Sequence, residues 1–400
     1  MPPLASDAPA PTSPLRRFLA LDLLDNRYPA LHGLRVLAIV TVVQFHVTWI
    51  FAGEAGILLD EGFVDGSLKI FFGMDLFFIL SGFLIGSILL RSLQVHGTQN
   101  IKRFYLRRIF RTFPSYYVVL TVLALAFRLT PQQRHHLPWE YLYGTNFLDL
   151  DRPQVIMFWG WSLALEEQFY LTVPLLFFVL HRLRSDRARI GLLTALWALG
   201  LAVRLAIYFR YAPWNDFVLY GAIYFRTYTR FDTLVLGILL AFVHQRHGSA
   251  IEAWVKDPGH RAWLLLPSLA CLWLLLRPAM FGPEHVQLVH MLTWGTVTSL
   301  MYFPLLLLLL HGEGWIHRRL SAPIFRRLAT LGYGVYLVHI PLCDHVLVPV
   351  ARALQARHVS MLLVWPASLA ALMTGSFVIA YALHVLIEKP SLKIREMLAG

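Results

Sequence analysis

Residues 34–51 read LRVLAIVTVVQFHVTWIF and contain only two ionisable side chains, Arg35 and His46. This apolar stretch is close to the ~20 residues that a helix needs to cross the hydrocarbon core of a bilayer. The whole chain has the same character, because hydrophobic residues make up 57% of its 400 residues and charged residues only 14%. A soluble protein carries about 25% charged residues. The composition therefore excludes a water-soluble protein and predicts a polytopic membrane protein.

Similar apolar runs recur along the chain and predict an all-α transmembrane bundle of about ten spans. They lie near residues 34–51, 70–90, 113–127, 168–181, 190–208, 231–243, 262–276, 287–310, 330–350 and 361–387. An even number of spans places both termini on the same side of the membrane. Most of the 35 Lys and Arg residues fall in the terminal segments and in the loops on that side, as is typical of cytoplasmic loops. Both termini are therefore predicted to be cytoplasmic, with the bundle in the inner (cytoplasmic) membrane.

The chain is expected to divide near residue 30. Residues 1–30 are rich in Pro, Ala and Ser and are predicted to be a disordered cytoplasmic tail, whereas residues 31–395 form one transmembrane domain. The formal net charge of +12 is explained by the basic loops that set the topology, so no nucleic-acid partner is expected. The two cysteines, Cys271 and Cys343, lie in apolar stretches and indicate neither a disulfide framework nor a metal site.

Arg35 and His46 stand eleven residues apart, which is about three helical turns, so both side chains face the same way about 16 Å apart along the axis. An ionisable group inside a span costs at least ~2.5 kcal/mol on insertion scales, so each is a candidate for function. A histidine can take a proton from a hydroxyl and return it. The alternative is a packing histidine with an arginine that extends to the interface.

Two adjacent carboxylates, Glu166 and Glu167, follow Ser162 in the stretch WSLALEEQFY at residues 161–170. In one interpretation a carboxylate, expected to be that of Glu166, faces a polar cavity and orients a histidine or a substrate hydroxyl. In the other, both carboxylates are solvated on an amphipathic turn at the interface.

Three arginines lie in the stretch RRIFRTFP at residues 107–114. Arg108 and Arg111 are spaced i, i+3 and share one helix face, with Arg107 beside them. Two guanidinium groups on one face suit the oxygens of phosphate groups. The same arginines are also expected from topology alone, because this is the most basic of the predicted cytoplasmic loops.

Other ionisable groups lie inside or at the edges of the predicted spans. Asp75 is in the second span, and Arg230 and Asp232, at the start of the sixth, are expected to pair with one another. Tyr336 and His339 are three residues apart on one face of the ninth. Taken singly, each of these groups is predicted to be structural.

Taken together, these segments resemble the acyltransferase family 3 proteins, which are bacterial integral-membrane O-acyltransferases. The resemblance runs from Leu31 to about Arg395 and rests on seven elements in family order. The elements are Gly-Leu-Arg35 with Phe-His46, GMDLFFILSGFLI at 73–85, Arg108-x-x-Arg111-x-x-Pro114, WSLALEEQFY at 161–170, Arg230-Phe-Asp232, GYGVYLVHIP at 332–341 and Ile-Glu388-Lys-Pro390.

The resemblance implies that residues 31–395 form a ten-span domain that moves an acyl group from acyl-CoA, with acetyl-CoA as the expected donor, to a hydroxyl. The acceptors it implies are sugars, surface glycans or small molecules. It implies His46 as the catalytic base and Arg35 as its companion in the pore. It also implies that Arg108 and Arg111, with Arg107, bind the phosphates of acyl-CoA.

The remaining assignments follow from these. Glu166 is the expected helper of the base, because Trp159 stands where many family members carry a histidine. Substrate-side or structural support is expected from Asp75, Ser162, Glu167, Arg230, Asp232 and His339. No metal is expected. The competing hypothesis is a transporter that exports a glycan and uses the same buried charges as a proton relay, although no inverted repeat is visible.

Overall fold

The computed structural model describes residues 13–96, 100–148, 152–211, 220–276, 293–312 and 314–399 of the chain. Within these ranges the regular structure is helical, with no strand. The α-helices are α1 (Pro14–Leu19), α2 (Pro29–Trp49), α3 (Glu61–Leu68), α4 (Gly73–His96), α5 (Ile101–Ala126), α6 (Pro131–Tyr141), α7 (Trp161–Arg182), α8 (Asp186–Tyr211), α9 (Thr227–Arg230), α10 (Asp232–Val255), α11 (Pro258–Leu276), α12 (Thr298–His311), α13 (Trp315–Leu320), α14 (Pro323–Leu342), α15 (Val348–Ala356), α16 (Met361–Leu383) and α17 (Lys389–Ala399). Five-residue π turns adjoin several of them, at Ile50–Glu54, Tyr220–Tyr224, Thr293–Val297, Cys343–Leu347 and His384–Glu388.

Nine helical stretches in the described ranges are long and apolar enough to cross a membrane. They are Pro29–Glu54, Glu61–Gln94, Ile101–Ala126, Phe158–Arg182, Asp186–Arg210, Asp232–Val255, Pro258–Leu276, Pro323–Ala356 and Met361–Leu398. The prediction of a polytopic all-α bundle is therefore confirmed. The expected eighth span, 287–310, begins outside the described residues, and its described part coincides with the shorter apolar helix Gly295–His311. The cytoplasmic location of the termini stays a prediction.

The segment 13–28 packs against one end of the bundle. The N–H of Leu24 donates to Thr330 Oγ1 on α14 at 3.3 Å, and Lys389 Nζ on α17 donates to a carbonyl of the segment at 2.6 Å. Polar groups of two helices thus bind the backbone of this part, and the disordered tail of residues 1–30 stays a prediction. Residues 1–12 lie outside the described residues. We call the end of the bundle at which α2 begins the proximal end and the opposite end the distal end.

Helices α4 and α10 cross with their backbones in close contact. A Cβ added at Gly82 would lie 2.0 Å from the carbonyl oxygen of Leu234, and one at Gly237 would lie 2.3 Å from that of Ile79. Small residues permit this approach between membrane helices, where packing rather than the hydrophobic effect drives association. The crossing fixes α4 against α10, and both helices carry buried charges of the site described below.

We predict that Gly82→Ala lowers the melting temperature of the purified protein in detergent, because the added methyl group forces the two backbones apart. Overpacking of this kind typically costs ~1–3 kcal/mol. Gly191→Ala on α8 is the matched control, since a Cβ there meets nothing within 4 Å and alanine is the better helix former. Equal melting temperatures for the two variants would contradict the close crossing.

Candidate active site

Two histidines meet where α2 packs against α14. His46 Nδ1 and His339 Nε2 are 3.0 Å apart, with His339 fully buried and His46 partly buried. The sequence predicts His46 as the base and His339 only as a supporting residue. No local spacing could have paired them, because they are 293 residues apart in the chain.

The hydrogen bonds define which ring nitrogens carry protons. Nδ1 of His339 lies 2.7 Å from the carbonyl oxygen of Tyr336, and a carbonyl only accepts, so this nitrogen is the donor. In the neutral ring Nε2 of His339 is then the acceptor, and His46 donates to it through Nδ1. His46 also hydrogen-bonds with the backbone of Val42, and because the one proton of its neutral ring is on Nδ1, Nε2 keeps its lone pair. A free lone pair on a partly accessible imidazole is what a general base requires.

Three arginines come together on the proximal side of the histidine pair. Arg35 on α2 interacts electrostatically with Arg108 and Arg111 on α5, and all three side chains are partly buried. None of them forms an ion pair with a residue in the described ranges. Three like charges held together without a close ion pair favour an anionic ligand, and the guanidinium fork matches phosphate oxygens. Carboxylates nearby, among them Glu388 with Arg111, interact with the cluster electrostatically. Arg107 lies on the exposed face of α5, near Arg103.

Glu166 faces this arginine cluster. Ser81 and Tyr170 both donate hydrogen bonds to its Oε1, and the carboxylate interacts electrostatically with Arg35. Arg108 lies over the Tyr170 ring, with its Cζ 5.3 Å from the ring centroid. The residue expected to assist His46 is thus bound near the arginines, and the observed partner of His46 is His339.

Glu167 also faces the interior. It hydrogen-bonds with Thr112 and interacts electrostatically with both Glu166 and Arg108. Of the two interpretations of the carboxylate pair, the structure fits the interior one, because both side chains are partly buried and have polar partners.

Ser162 connects the start of α7 to the histidine pair. Its Oγ lies 2.6 Å from the hydroxyl of Tyr336, and that hydroxyl donates to the carbonyl oxygen of Trp159 at 2.8 Å. The backbone carbonyl of Tyr336 is the one that accepts from His339. Ser162 and Trp159 therefore help to position the residue that orients His339.

Four fully buried charges form two ion pairs between helices. Arg230 Nη2 lies 2.7 Å from Asp75 Oδ1, and Arg204 Nη2 lies 2.7 Å from Asp232 Oδ2. The predicted pairing of Arg230 with Asp232 is therefore wrong. Residues two apart on a helix do not face each other, so each of the two finds its partner on another helix. Arg204 on α8 was absent from the predicted site, because nothing in its own span indicated a partner.

The chain is similar to known proteins over most of its length. The family profile described as an acyltransferase domain matches residues 28–384 of the chain. A protein of Staphylococcus aureus (strain COL), whose name assigns it provisionally to the O-acetyltransferases, is 26% identical over 332 residues, which cover 80% of this chain and 51% of that protein. No solved structure matches the chain.

A second relative carries a more specific name. The peptidoglycan O-acetyltransferase of Listeria monocytogenes serovar 1/2a (strain ATCC BAA-679 / EGD-e) is 26% identical over 332 residues, covering 78% of this chain and 49% of that protein. The chain thus spans about half the length of the curated relatives it matches.

The two ion pairs generate a prediction for double-mutant cycles. Asp75→Asn leaves Arg230 charged and unpaired in the interior, which should cost ~3–5 kcal/mol of stability. Adding Arg230→Gln should recover part of this loss, because no buried charge is then left without its partner. The interaction free energy between Arg230→Gln and Asp232→Asn should be smaller than that between Arg230→Gln and Asp75→Asn. Thermal unfolding in detergent measures both cycles, and a larger coupling to Asp232 than to Asp75 would refute the observed pairing.

Proposed function

Because the chain belongs to the acyltransferase family 3, we propose that it is a membrane O-acyltransferase that moves an acetyl group from acetyl-CoA to a hydroxyl of a carbohydrate acceptor. The observation that supports this most strongly is the His46–His339 hydrogen bond, which leaves His46 Nε2 free to act as a base. Donor, acceptor and orientation in the membrane are all part of the proposal.

The charge distribution supports an orientation with the proximal end in the cytoplasm. The proximal helix ends and loops carry most of the Lys and Arg residues, and cytoplasmic loops carry such an excess. Acetyl-CoA would then reach the proximal arginines from the cytoplasm, in the inner membrane of the cell. The acceptor would approach His46 from the distal side.

The arginine cluster is the proposed donor site. Arg35, Arg108 and Arg111 would bind the phosphates of acetyl-CoA, and Arg107 would extend the basic surface toward solvent. Glu166 would hold Arg35 in place through its electrostatic interaction. With the phosphates bound there, the pantetheine arm would point along α2 toward His46, which is about 16 Å farther along the helix axis.

In the proposed reaction, Nε2 of His46 takes the proton of the acceptor hydroxyl while the hydroxyl oxygen bonds to the thioester carbon. The carbon–sulfur bond of the tetrahedral intermediate then breaks, and the thiolate of CoA takes up the proton from His46. His339 stabilises the charged imidazole, because its Nε2 accepts the Nδ1 proton of His46. The histidine pair thus orients the base and shares its charge, as an orienting group does in other base–nucleophile systems.

The acceptor class is proposed from the relatives. The Listeria relative is named for peptidoglycan O-acetylation, so a glycan hydroxyl is the acceptor that we propose here. Mass spectrometry of envelope glycans from cells with and without the gene would test this. A glycan that loses one acetyl group in the deletion strain would support the proposal, and an unchanged glycan profile would contradict it.

We predict that His46→Ala abolishes release of free CoA from acetyl-CoA by purified protein with acceptor present, because the base is removed; general-base catalysis contributes typically ~10²–10⁴-fold. His339→Ala should lower kcat by ~10-fold or more with an unchanged KM for acetyl-CoA, since it removes only the group that orients the base.

The control for this experiment is His244→Ala. His244 also bonds a histidine, His311, at 3.0 Å, but it belongs to a pair elsewhere in the bundle. It should keep wild-type kcat. Wild-type turnover in His46→Ala would exclude the mechanism. Glycan export without CoA release by the wild type would instead favour the transporter hypothesis.

We predict that Arg108→Gln and Arg111→Gln each raise the KM for acetyl-CoA by ~10-fold or more, because a charge-assisted hydrogen bond to phosphate contributes ~1.5–3 kcal/mol. S-acetylpantetheine, which lacks the nucleotide phosphates, should react equally with the variants and the wild type. Arg103→Gln is the control on the same helix, since Arg103 is exposed. If the arginine variants lose the same activity with S-acetylpantetheine as with acetyl-CoA, these arginines do not recognise phosphate.

A further inference from the structure

The two helices that carry the histidines end in the same way. The helix α2 changes to a π turn at Ile50, four residues after His46, and α14 changes to a π turn at Cys343, four residues after His339. The N–H of Ile50 donates to the carbonyl of His46, and the N–H of Cys343 donates to that of His339. These are two of the five π turns in the described ranges, and turns of this kind are found frequently at functional sites.

Each of these π turns supplies a carboxylate to the same arginine. Glu54 Oε2 lies 2.5 Å from Arg152 Nε, and Asp344 Oδ2 lies 2.5 Å from Arg152 Nη1. Arg152 itself belongs to neither helix, because it lies in the connection between α6 and α7. One guanidinium group therefore joins the distal ends of the two histidine helices.

The contacts of Arg152 extend toward the base. Its Cζ lies 5.7 Å from the ring centroid of Trp49 and 4.8 Å from that of Phe158, within the range of cation–π attraction. Trp49 is three residues after His46, and Arg152 interacts electrostatically with His46. The arginine thus lies about one helical turn beyond the histidine pair.

The backbone that carries Arg152 is held by one face of α6. Side chains of α6 and its preceding residue, spaced three or four apart, contact the backbone of residues 152–157. The contacts are Gln133 Nε2 to Arg152 O at 2.8 Å, Thr130 Oγ1 to Pro153 O at 2.5 Å, His136 Nδ1 to Gln154 O at 3.0 Å, and Glu140 to the N–H groups of Ile156 and Met157 at 2.8 Å each. Burial raises the pKa of Glu140 to about 7, while these two N–H groups act to lower it. The segment is therefore a fixed support for Arg152.

We propose that Arg152 is a positioning residue for the acyl transfer. By joining Glu54 to Asp344, it holds the distal ends of α2 and α14 at the separation that the His46–His339 hydrogen bond requires. This inference rests on the proposed function. Arg152 lies at the end of the bundle opposite the arginine cluster. It therefore affects kcat and leaves the KM for acetyl-CoA unchanged.

The test is a comparison of Arg152→Gln with Arg152→Lys. Glutamine removes both ion pairs, so kcat for acetyl transfer per folded molecule should fall ~10–100-fold, as expected when a reacting group is displaced by about 1 Å. The KM for acetyl-CoA should not change. Lysine keeps a charge for one of the carboxylates and should restore part of kcat. A purely structural role would reduce the yield of folded protein, measured by size-exclusion chromatography, without this split between kcat and KM.

A matched control and a mutant cycle complete the experiment. Arg134→Gln changes an exposed arginine on α6 and should keep the wild-type kcat. Glu54→Gln and Asp344→Asn should each lower kcat, and adding either to Arg152→Gln should cause no further loss, because all three act as one unit. If Arg152→Gln does not fold, Glu54→Gln and Asp344→Asn test the inference in its place. Wild-type kcat in both of them overturns it.

The outcomes separate this inference from the proposed function. Wild-type protein that releases no CoA from acetyl-CoA in the presence of envelope glycan would overturn the proposed function. An active wild type together with an equally active Arg152→Gln variant would overturn only the role of Arg152.

Discussion

The hydrocarbon interior of a membrane contains no water, so each charge in a spanning helix needs a partner within the protein or access to an aqueous cavity. The structure divides its arginines by this constraint. Arg204 and Arg230 each have a carboxylate within 2.7 Å and are fully buried, so folding alone explains them. Arg35, Arg108 and Arg111 form no such close ion pair in the described ranges and are only partly buried. Their carboxylate neighbours, Glu166, Glu167 and Glu388, interact with them electrostatically. The second group is therefore available to an anionic ligand, as the proposed donor site requires.

The histidine pair depends on three helices at once. A series of hydrogen bonds runs from the carbonyl of Trp159, through Tyr336 and His339, to His46. Each bond is directional, and together they leave only one arrangement of ring protons in which His46 Nε2 is unprotonated. The proposed base is consequently a property of how α2, α14 and the turn that precedes α7 pack, because these three carry the groups of the series.

The features that the sequence predicts depend on composition and short spacing. The spans follow from apolar runs, and the common face of Arg35 and His46 follows from the pitch of one helix. Partners on distant segments could not be predicted in this way, because His46 and His339 are 293 residues apart and Arg230 and Asp75 are 155 apart. The wrong pairing, Arg230 with Asp232, rests on proximity in sequence alone. The contacts of residues 13–28 could not be predicted either, because the groups that bind this segment belong to helices at the far end of the chain.

The π turns explain how one arginine reaches two helices. A turn with i→i+5 bonding is wider than an α-helical turn, so it changes the direction in which the following side chains point. This change occurs after both histidines, and the carboxylates of Glu54 and Asp344 then meet at Arg152. The arginine cluster and this carboxylate–arginine contact lie at opposite ends of α2, with His46 between them. In the proposed reaction, one base can therefore receive a donor from one end and an acceptor from the other, so the two substrates need not share an aqueous compartment.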